Sequence, residues 1–220
     1  MLKTVETRMI NFGTSAYMKV LALNPRPRDT EIRKRLKPSE SGYDFHKAMR
    51  KISVGFASGK TDLSETMALL DAIKKPEERK SATHGANQLA KWLDGTPIEP
   101  VAGHERRVEG PDGNFTVRFT PDFRMKGAKR PVLVHIWNTK SVKLSAREAI
   151  GTLGLFEQEY SDFDLGVLCL RQSRLFVMED ATRAAELARL LARDIGKRIV
   201  RLSEGRGSDR GTDEKRIETG

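Results

Sequence analysis

A chain of 220 residues, 38% of them hydrophobic and 32% charged, is long enough to bury a sizeable core and too apolar for a wholly disordered protein. No apolar run approaches the roughly 20 residues of a membrane-spanning helix, and the first residues lack the apolar segment of a secretory signal. These features predict a cytoplasmic protein without a membrane partner. The single cysteine, Cys169, excludes an intrachain disulfide and a cysteine-rich zinc site.

The formal net charge of +10 is concentrated near the beginning of the chain. Residues 1–80 hold 17 Lys and Arg against 10 Asp and Glu, whereas residues 81–220 hold 23 against 20. A basic patch attracts phosphate backbones without reading their sequence, which predicts a nucleic-acid partner. DNA is favoured over RNA as that partner, and RNA stays open. The alternative is a solvated face that only keeps the protein in solution. The basic residues with the strongest clustering are Arg26, Arg28, Arg33, Lys34, Arg35 and Lys37.

The first third of the chain reads as helices joined by polar turns. Thr14 or Ser15 can cap the first helix, and Thr30 can cap a short basic one. Asp62 and Glu65 have the spacing of a capping box ahead of a further helix. We therefore predict a basic helical region over residues 1–76. A further helix, which begins at Glu77 and ends at Gly95, leads into the second region.

The apolar period changes from helical to alternating after Gly95. Three strands are predicted, from the segments HERRVEG, FTVRFTPDFRM and PVLVHIWNTK. Ser145 can cap the helix that follows, and two strands and a helix from Ala181 to about Lys197 complete the pattern. This order predicts an α/β core over residues 77–200. The polar segment that ends the chain is predicted to be disordered, over residues 201–220.

Two short motifs stand in these strands. Pro121-Asp122 falls in the second predicted strand, and Asn138-Thr139-Lys140 ends the third. With this order of elements, the chain from Glu77 to Asp180 resembles the PD-(D/E)xK nuclease superfamily. The resemblance implies an α/β fold with a restriction-endonuclease-like core (helix, three-strand meander, helix, two strands, helix) preceded by an N-terminal helical extension. The chain departs from the family at Asn138, which occupies the position of the second acid.

The resemblance also implies a metal-dependent nuclease site. Hydrolysis of a phosphodiester uses a hard cation, Mg²⁺ or Mn²⁺, which prefers carboxylate oxygens. Asp122 and Asn138 would bind the metal, and Lys140 would orient the attacking water and offset charge in the transition state. Residues i and i+2 of a strand share a face, so Asn138 and Lys140 are both expected to look toward Asp122. Glu148, or Glu157 further along, would replace the missing carboxylate.

Other interpretations stay open at this point. Asp122 can be a surface acid that pairs with Arg124 or Lys140. The chain can also be a nuclease-fold module without hydrolytic activity that binds nucleic acid or a protein, an interpretation that Asn138 favours. A third possibility is an unrelated α/β scaffold that binds no nucleic acid. His135 and Trp137 alternate away from Asn138 and are predicted to pack beneath a flanking helix.

Overall fold

The computed structural model describes residues 9–37, 47–94, 96–101 and 103–204. In these ranges the chain is a mixed α/β protein with seven α-helices, one 3₁₀ helix and eight strands. The helices are α1 (Thr14–Ala22), α2 (Pro25–Leu36), α3 (Lys47–Ala57), α4 (Leu63–Asp71), α5 (Pro76–Leu93), α6 (Ala146–Leu153), the 3₁₀ helix (Gly154–Glu159) and α7 (Ala181–Glu204). The strands are β1 (Ile10–Gly13), β2 (Ile98–Pro100), β3 (Arg106–Glu109), β4 (Phe115–Phe119), β5 (Phe123–Met125), β6 (Val132–Trp137), β7 (Asp164–Cys169) and β8 (Arg174–Val177).

The strands form two sheets. The smaller sheet has the order β1-β4-β3, in which β1 is parallel and β3 antiparallel to β4. The larger sheet has the order β2-β5-β6-β7-β8. Its central pair, β6 and β7, is parallel and is joined through α6, whereas the neighbouring pairs are antiparallel. The crossover helix is what lets two consecutive strands of the larger sheet run in the same direction.

Strand β6 is buried along its whole length because both of its faces are covered. Val132, Val134 and Ile136 pack into one hydrophobic cluster with residues of α3 and α5. Leu133 and Trp137 pack on the opposite face, in the main core. The alternation of side chains along β6 therefore decides which helix each residue meets.

The structure differs from the predicted three-strand meander. The second predicted strand is two strands, β4 and β5, which belong to different sheets. Residues 120–122 carry the chain from one sheet to the other, so Asp122 precedes β5 rather than lying inside a strand. The strands β1 and β2 were not predicted, because each is only three or four residues long.

The first three elements, β1, α1 and α2, are part of the main hydrophobic core. Side chains of β1, α1 and α2, such as Phe12, Tyr17 and Ile32, belong to the same buried cluster as Phe115 and Ile199. These N-terminal elements therefore share one buried cluster with strands and helices of the predicted α/β core. Residues 201–204, predicted as the start of a disordered tail, are the last turn of α7, and residues 205–220 lie outside the described ranges.

The predicted helix caps have mixed outcomes. The capping box of Asp62 and Glu65 at α4 and the cap of Ser145 at α6 are confirmed. Gly13, not Thr14 or Ser15, is the N-cap of α1. Thr30 lies inside α2, which begins earlier at Pro25. None of the described helices combines the length and apolarity that crossing a membrane requires.

Candidate functional site

Asp122 is a buried structural acceptor. Its side chain is 2% exposed, and its Oδ2 accepts a hydrogen bond of 2.7 Å from the backbone N–H of Ile136. The same oxygen lies 3.3 Å from Nδ1 of His135, which is also 2% exposed. Asp122 is thus not a surface acid, and Arg124 pairs with Glu99 instead.

Asp122 and His135 lie on the face of the larger sheet that α1 covers. Phe123 packs on the opposite face, among residues of the α5 side, so the preceding residue points toward α1. His135 connects the two elements directly, since its Nε2 lies 2.8 Å from Oγ of Ser15 in α1. The prediction that His135 is buried beneath a helix is confirmed.

Asn138 lies on the other face, against α5. Its Nδ2 donates a hydrogen bond of 2.9 Å to the backbone carbonyl of Ser81, and its side chain is 3% exposed. Gly85 makes this contact possible, because a Cβ at that position would lie 2.5 Å from Nδ2 of Asn138. The amide oxygen Oδ1 of Asn138 is buried without a hydrogen-bond partner. A buried unpaired acceptor of this kind points to a ligand or an ordered water.

A pocket of about 410 Å³ opens where β6 ends against α5. Cationic side chains dominate it, and among the described residues that line it Glu77 is the only carboxylate. In the part of the chain that the structure describes, Lys80 and Lys140 form no ion pair, whereas Lys19 pairs with Glu31 at 3.1 Å. We call this cavity the cationic pocket. Its lining consists of Lys19, Glu77, Lys80, Ser81, His84, Asn138, Thr139, Lys140, Ser141 and Arg171.

The electrostatics of the cationic pocket favour an anion. Burial, and after it the positive charges of Arg171 and Lys91, holds the pKa of His84 below its ordinary value. Burial likewise lowers the pKa of the Arg171 guanidinium. Arg171 donates to Oγ of Ser81 at 3.2 Å, and its Nε is buried without a partner. The positive charges around His84 and Arg171 repel one another, and a negative ligand would reduce that repulsion.

The structure therefore brings some of the predicted catalytic residues together and not others. Asn138 and Lys140 share the cationic pocket, but Asp122 is not part of its lining. Glu148 forms the capping box of α6 with Ser145. Glu157 lies in the 3₁₀ helix and lines a different pocket, of about 250 Å³, against α7.

The side chains present do not fit the predicted metal site. Asp122 and Asn138 make their contacts on opposite faces of the larger sheet, and the Asp122 carboxylate is occupied by Ile136 and His135. Among the described residues, no three His, Cys, Asp or Glu side chains cluster in a way that could hold a metal ion. Glu77 alone would supply charge to a cation in the pocket, against several Lys and Arg side chains.

The predicted basic cluster lies on α2, and its members have different roles. Arg28 donates to the carbonyls of Leu21 and Leu23 and pairs with Asp194 of α7 at 3.1 Å, and burial lowers its pKa. Arg35 pairs with Glu31 at 3.2 Å and lies over the ring of Phe12. These two side chains hold α2 to the core. The members that are exposed to solvent are Arg26, Arg33, Lys34 and Lys37.

Several site residues were missed by sequence reasoning. Ser81, His84 and Arg171 were not singled out, and neither was Ser15 as a partner of His135. Ser81 and His84 are three residues apart on α5, and this spacing was the sequence signal that they share a helix face. Nothing in the local sequence indicates that Arg171, after β7, reaches the same place.

Comparisons with known proteins do not assign the chain to a family. No protein-family model matches the chain, and no curated protein matches it.

Proposed function

We propose that this protein binds nucleic acid through phosphate groups held in the cationic pocket, as a nuclease-like module that works by binding rather than by cutting. The observation that carries the proposal is the lining of that pocket. The cavity is lined by Lys19, Lys80, Lys140 and Arg171, and within the described ranges one carboxylate, that of Glu77, lines it with them. Phosphate is the common biological anion that such a set of Lys and Arg side chains recognises.

The two kinds of cation in the pocket suit different parts of a phosphate ligand. Arg171 is anchored on Ser81 and is part-buried, so its planar guanidinium is held in one orientation. Lys80 and Lys140 are exposed and can follow a phosphate as flexible point charges. The unpaired Oδ1 of Asn138 is an acceptor, which suits a hydroxyl or amine donor of a sugar or base.

A polymer is favoured over a single phosphate because positive charge continues beyond the pocket. Lys19, in its lining, is joined through Glu31 to α2, which exposes Arg26, Lys34 and Lys37 to solvent. A strand held at the pocket would place its further phosphates near this helix. Non-specific association of this type is electrostatic and does not depend on base sequence.

The proposal predicts a strong dependence of affinity on salt. For a single-stranded oligonucleotide that contacts about three phosphates, log K should fall with log salt concentration with a slope of about −2. The measurement is fluorescence anisotropy of a labelled oligonucleotide between low and physiological salt. A peptide nucleic acid of the same sequence, which lacks phosphates, is the matched control ligand and should not bind. A slope near zero for the oligonucleotide would contradict the proposal.

Metal-dependent hydrolysis of nucleic acid is the second candidate function. The order of elements favours it: α5 is followed by β2, β5 and β6 as antiparallel neighbours, then by α6 and the parallel strand β7. This is the order that the resemblance to PD-(D/E)xK nucleases implies, with the β3–β4 hairpin as an insertion. Its test is a cleavage assay on labelled DNA and RNA with Mg²⁺, Mn²⁺ or EDTA, run beside Lys140→Ala. Metal-dependent cutting that disappears in the variant would replace the binding proposal with this one.

A further inference from the structure

Three residues that the cationic pocket does not use, Ser15, His135 and Asp122, lie in a row within contact distance of one another. Oγ of Ser15 lies 2.8 Å from Nε2 of His135, and Nδ1 of the same ring lies 3.3 Å from Oδ2 of Asp122. A serine oxygen at Nε2 and a carboxylate at Nδ1 is the arrangement that activates a serine nucleophile. The residues come from α1, β6 and the crossing segment between the sheets, so only the fold brings them together.

The surroundings of the imidazole fix its tautomer. Nδ1 of His135 faces two acceptors, the carbonyl oxygen of Thr120 at 2.9 Å and the carboxylate of Asp122. The proton of the neutral ring therefore belongs on Nδ1, since a carbonyl oxygen can only accept. Nε2 is then left with a lone pair, and the hydroxyl of Ser15 donates to it. This is the tautomer in which histidine can act as a base toward the serine.

Ser15 is placed where a reacting carbonyl could be stabilised. It lies in the first turn of α1, directly after β1, and the N-cap Gly13 offers no side-chain cap to the free N–H groups there. Such N–H groups and the helix dipole favour negative charge. Ser15 is half-buried, unlike the fully buried His135, and lies one turn from Lys19, which lines the cationic pocket. Of the three side chains, Ser15 is therefore the one nearest to solvent.

We propose that Ser15 is a nucleophile for acyl transfer from carboxylic esters, with His135 as its base and Asp122 as the residue that positions the imidazole. Oγ of Ser15 forms a bond to the ester carbonyl carbon while its proton passes to Nε2 of His135. The bond to the alkoxide then breaks, the proton of Nε2 goes to the alkoxide, and an alcohol leaves. Water then attacks the acyl carbon and gives one proton to Nε2 of His135. The bond between the acyl carbon and Oγ of Ser15 breaks, Nε2 returns the proton to Oγ, and the carboxylic acid leaves.

The test is covalent labelling of the full chain with a fluorophosphonate, which phosphonylates nucleophilic serines, followed by mass spectrometry. We expect one phosphonyl group on Ser15, none in Ser15→Ala, and labelling about a hundredfold slower in His135→Gln. Ser203→Ala is the matched control, because Ser203 is also half-buried and donates to a backbone carbonyl, that of Ile199. A known serine hydrolase in the same tube is the positive control. If that enzyme is labelled and the wild-type protein is not, the proposal is overturned. It is also overturned if His135→Gln is labelled as fast as the wild type.

A second variant keeps the proposal testable if changes at the buried His135 unfold the protein. In Ser15→Cys the imidazole would lie against a thiol, and a thiol beside such a partner reacts faster than free cysteine at mildly acidic pH. We expect alkylation by iodoacetamide at pH 6 about tenfold faster than that of free cysteine. The native Cys169 is buried and serves as the unreactive internal reference. A rate at position 15 no faster than that of free cysteine would overturn the proposal.

Discussion

The variant Asp122→Ala is expected to lower the free energy of unfolding by about 3 kcal/mol, because it leaves the buried N–H of Ile136 without an acceptor and removes one partner of His135. For a chain of this size the melting temperature should fall by about 10 °C. The measurement is thermal and denaturant unfolding followed by circular dichroism. A metal ligand in an open site would give the opposite result, since its removal would affect activity more than stability.

Asp122→Asn is the matched control for this prediction. The asparagine side chain keeps one carbonyl oxygen, which can still accept from the N–H of Ile136, but it loses the negative charge beside His135. Its loss of stability should therefore be about half that of the alanine variant. If Asp122→Ala unfolds within about 0.5 kcal/mol of the wild type, the structural role assigned to this carboxylate is wrong.

Reversal of two charges in the cationic pocket is expected to have the largest effect on ligand binding. The double variant Lys80→Glu and Lys140→Glu should weaken binding of a single-stranded oligonucleotide at least about a hundredfold. Each charge-assisted contact with a phosphate contributes ~1.5 kcal/mol, and 1.4 kcal/mol is a factor of about ten in affinity. Both side chains are exposed, so the fold should be retained. Fluorescence anisotropy at low salt measures the affinity, and circular dichroism checks the fold.

A second double variant distinguishes the effect of the pocket on affinity from the effect of net charge. Lys126→Glu with Lys129→Glu changes the net charge of the protein by the same amount, at exposed positions that do not line the cationic pocket. Its affinity should stay close to that of the wild type. Equal losses in the two double variants would mean that overall charge, and not the pocket, governs binding.

Local patterns were sufficient to predict much of the secondary structure. The helix α6 was predicted from a cap residue, Ser145, ahead of a helical pattern, and the buried strand β6 from a run of apolar residues. These signals are local and need no knowledge of the rest of the chain. The passage of residues 120–122 between two sheets has no such signal. The alternation of Phe115, Val117 and Phe119 continues in sequence as if one strand ran on to Met125.

The site could be predicted only in part, for a related reason. Asn138 and Lys140 were placed at the end of a strand, and they do share the cationic pocket. Their expected partner Asp122 faces the other side of the sheet, because the side chains of neighbouring residues alternate and Phe123 is the one that faces α5. The true partners, Ser81 for Asn138 and Ser15 for His135, are far away along the chain. Periodicity indicates which face a residue occupies, but not which residue it meets there.

The most direct test of phosphate binding in the cationic pocket is the pKa of His84, measured by NMR of its ring protons with and without a short 5′-phosphorylated oligonucleotide. Burial and neighbouring cations hold this pKa below its ordinary value in the free protein. A bound phosphate favours the protonated imidazole, so the pKa of His84 should rise, and affinity should correspondingly increase as the pH falls through that pKa. His104 does not line the pocket, so its ring signals serve as the internal reference. If the oligonucleotide binds while the pKa of His84 stays the same, the phosphate is held elsewhere and the central claim is wrong.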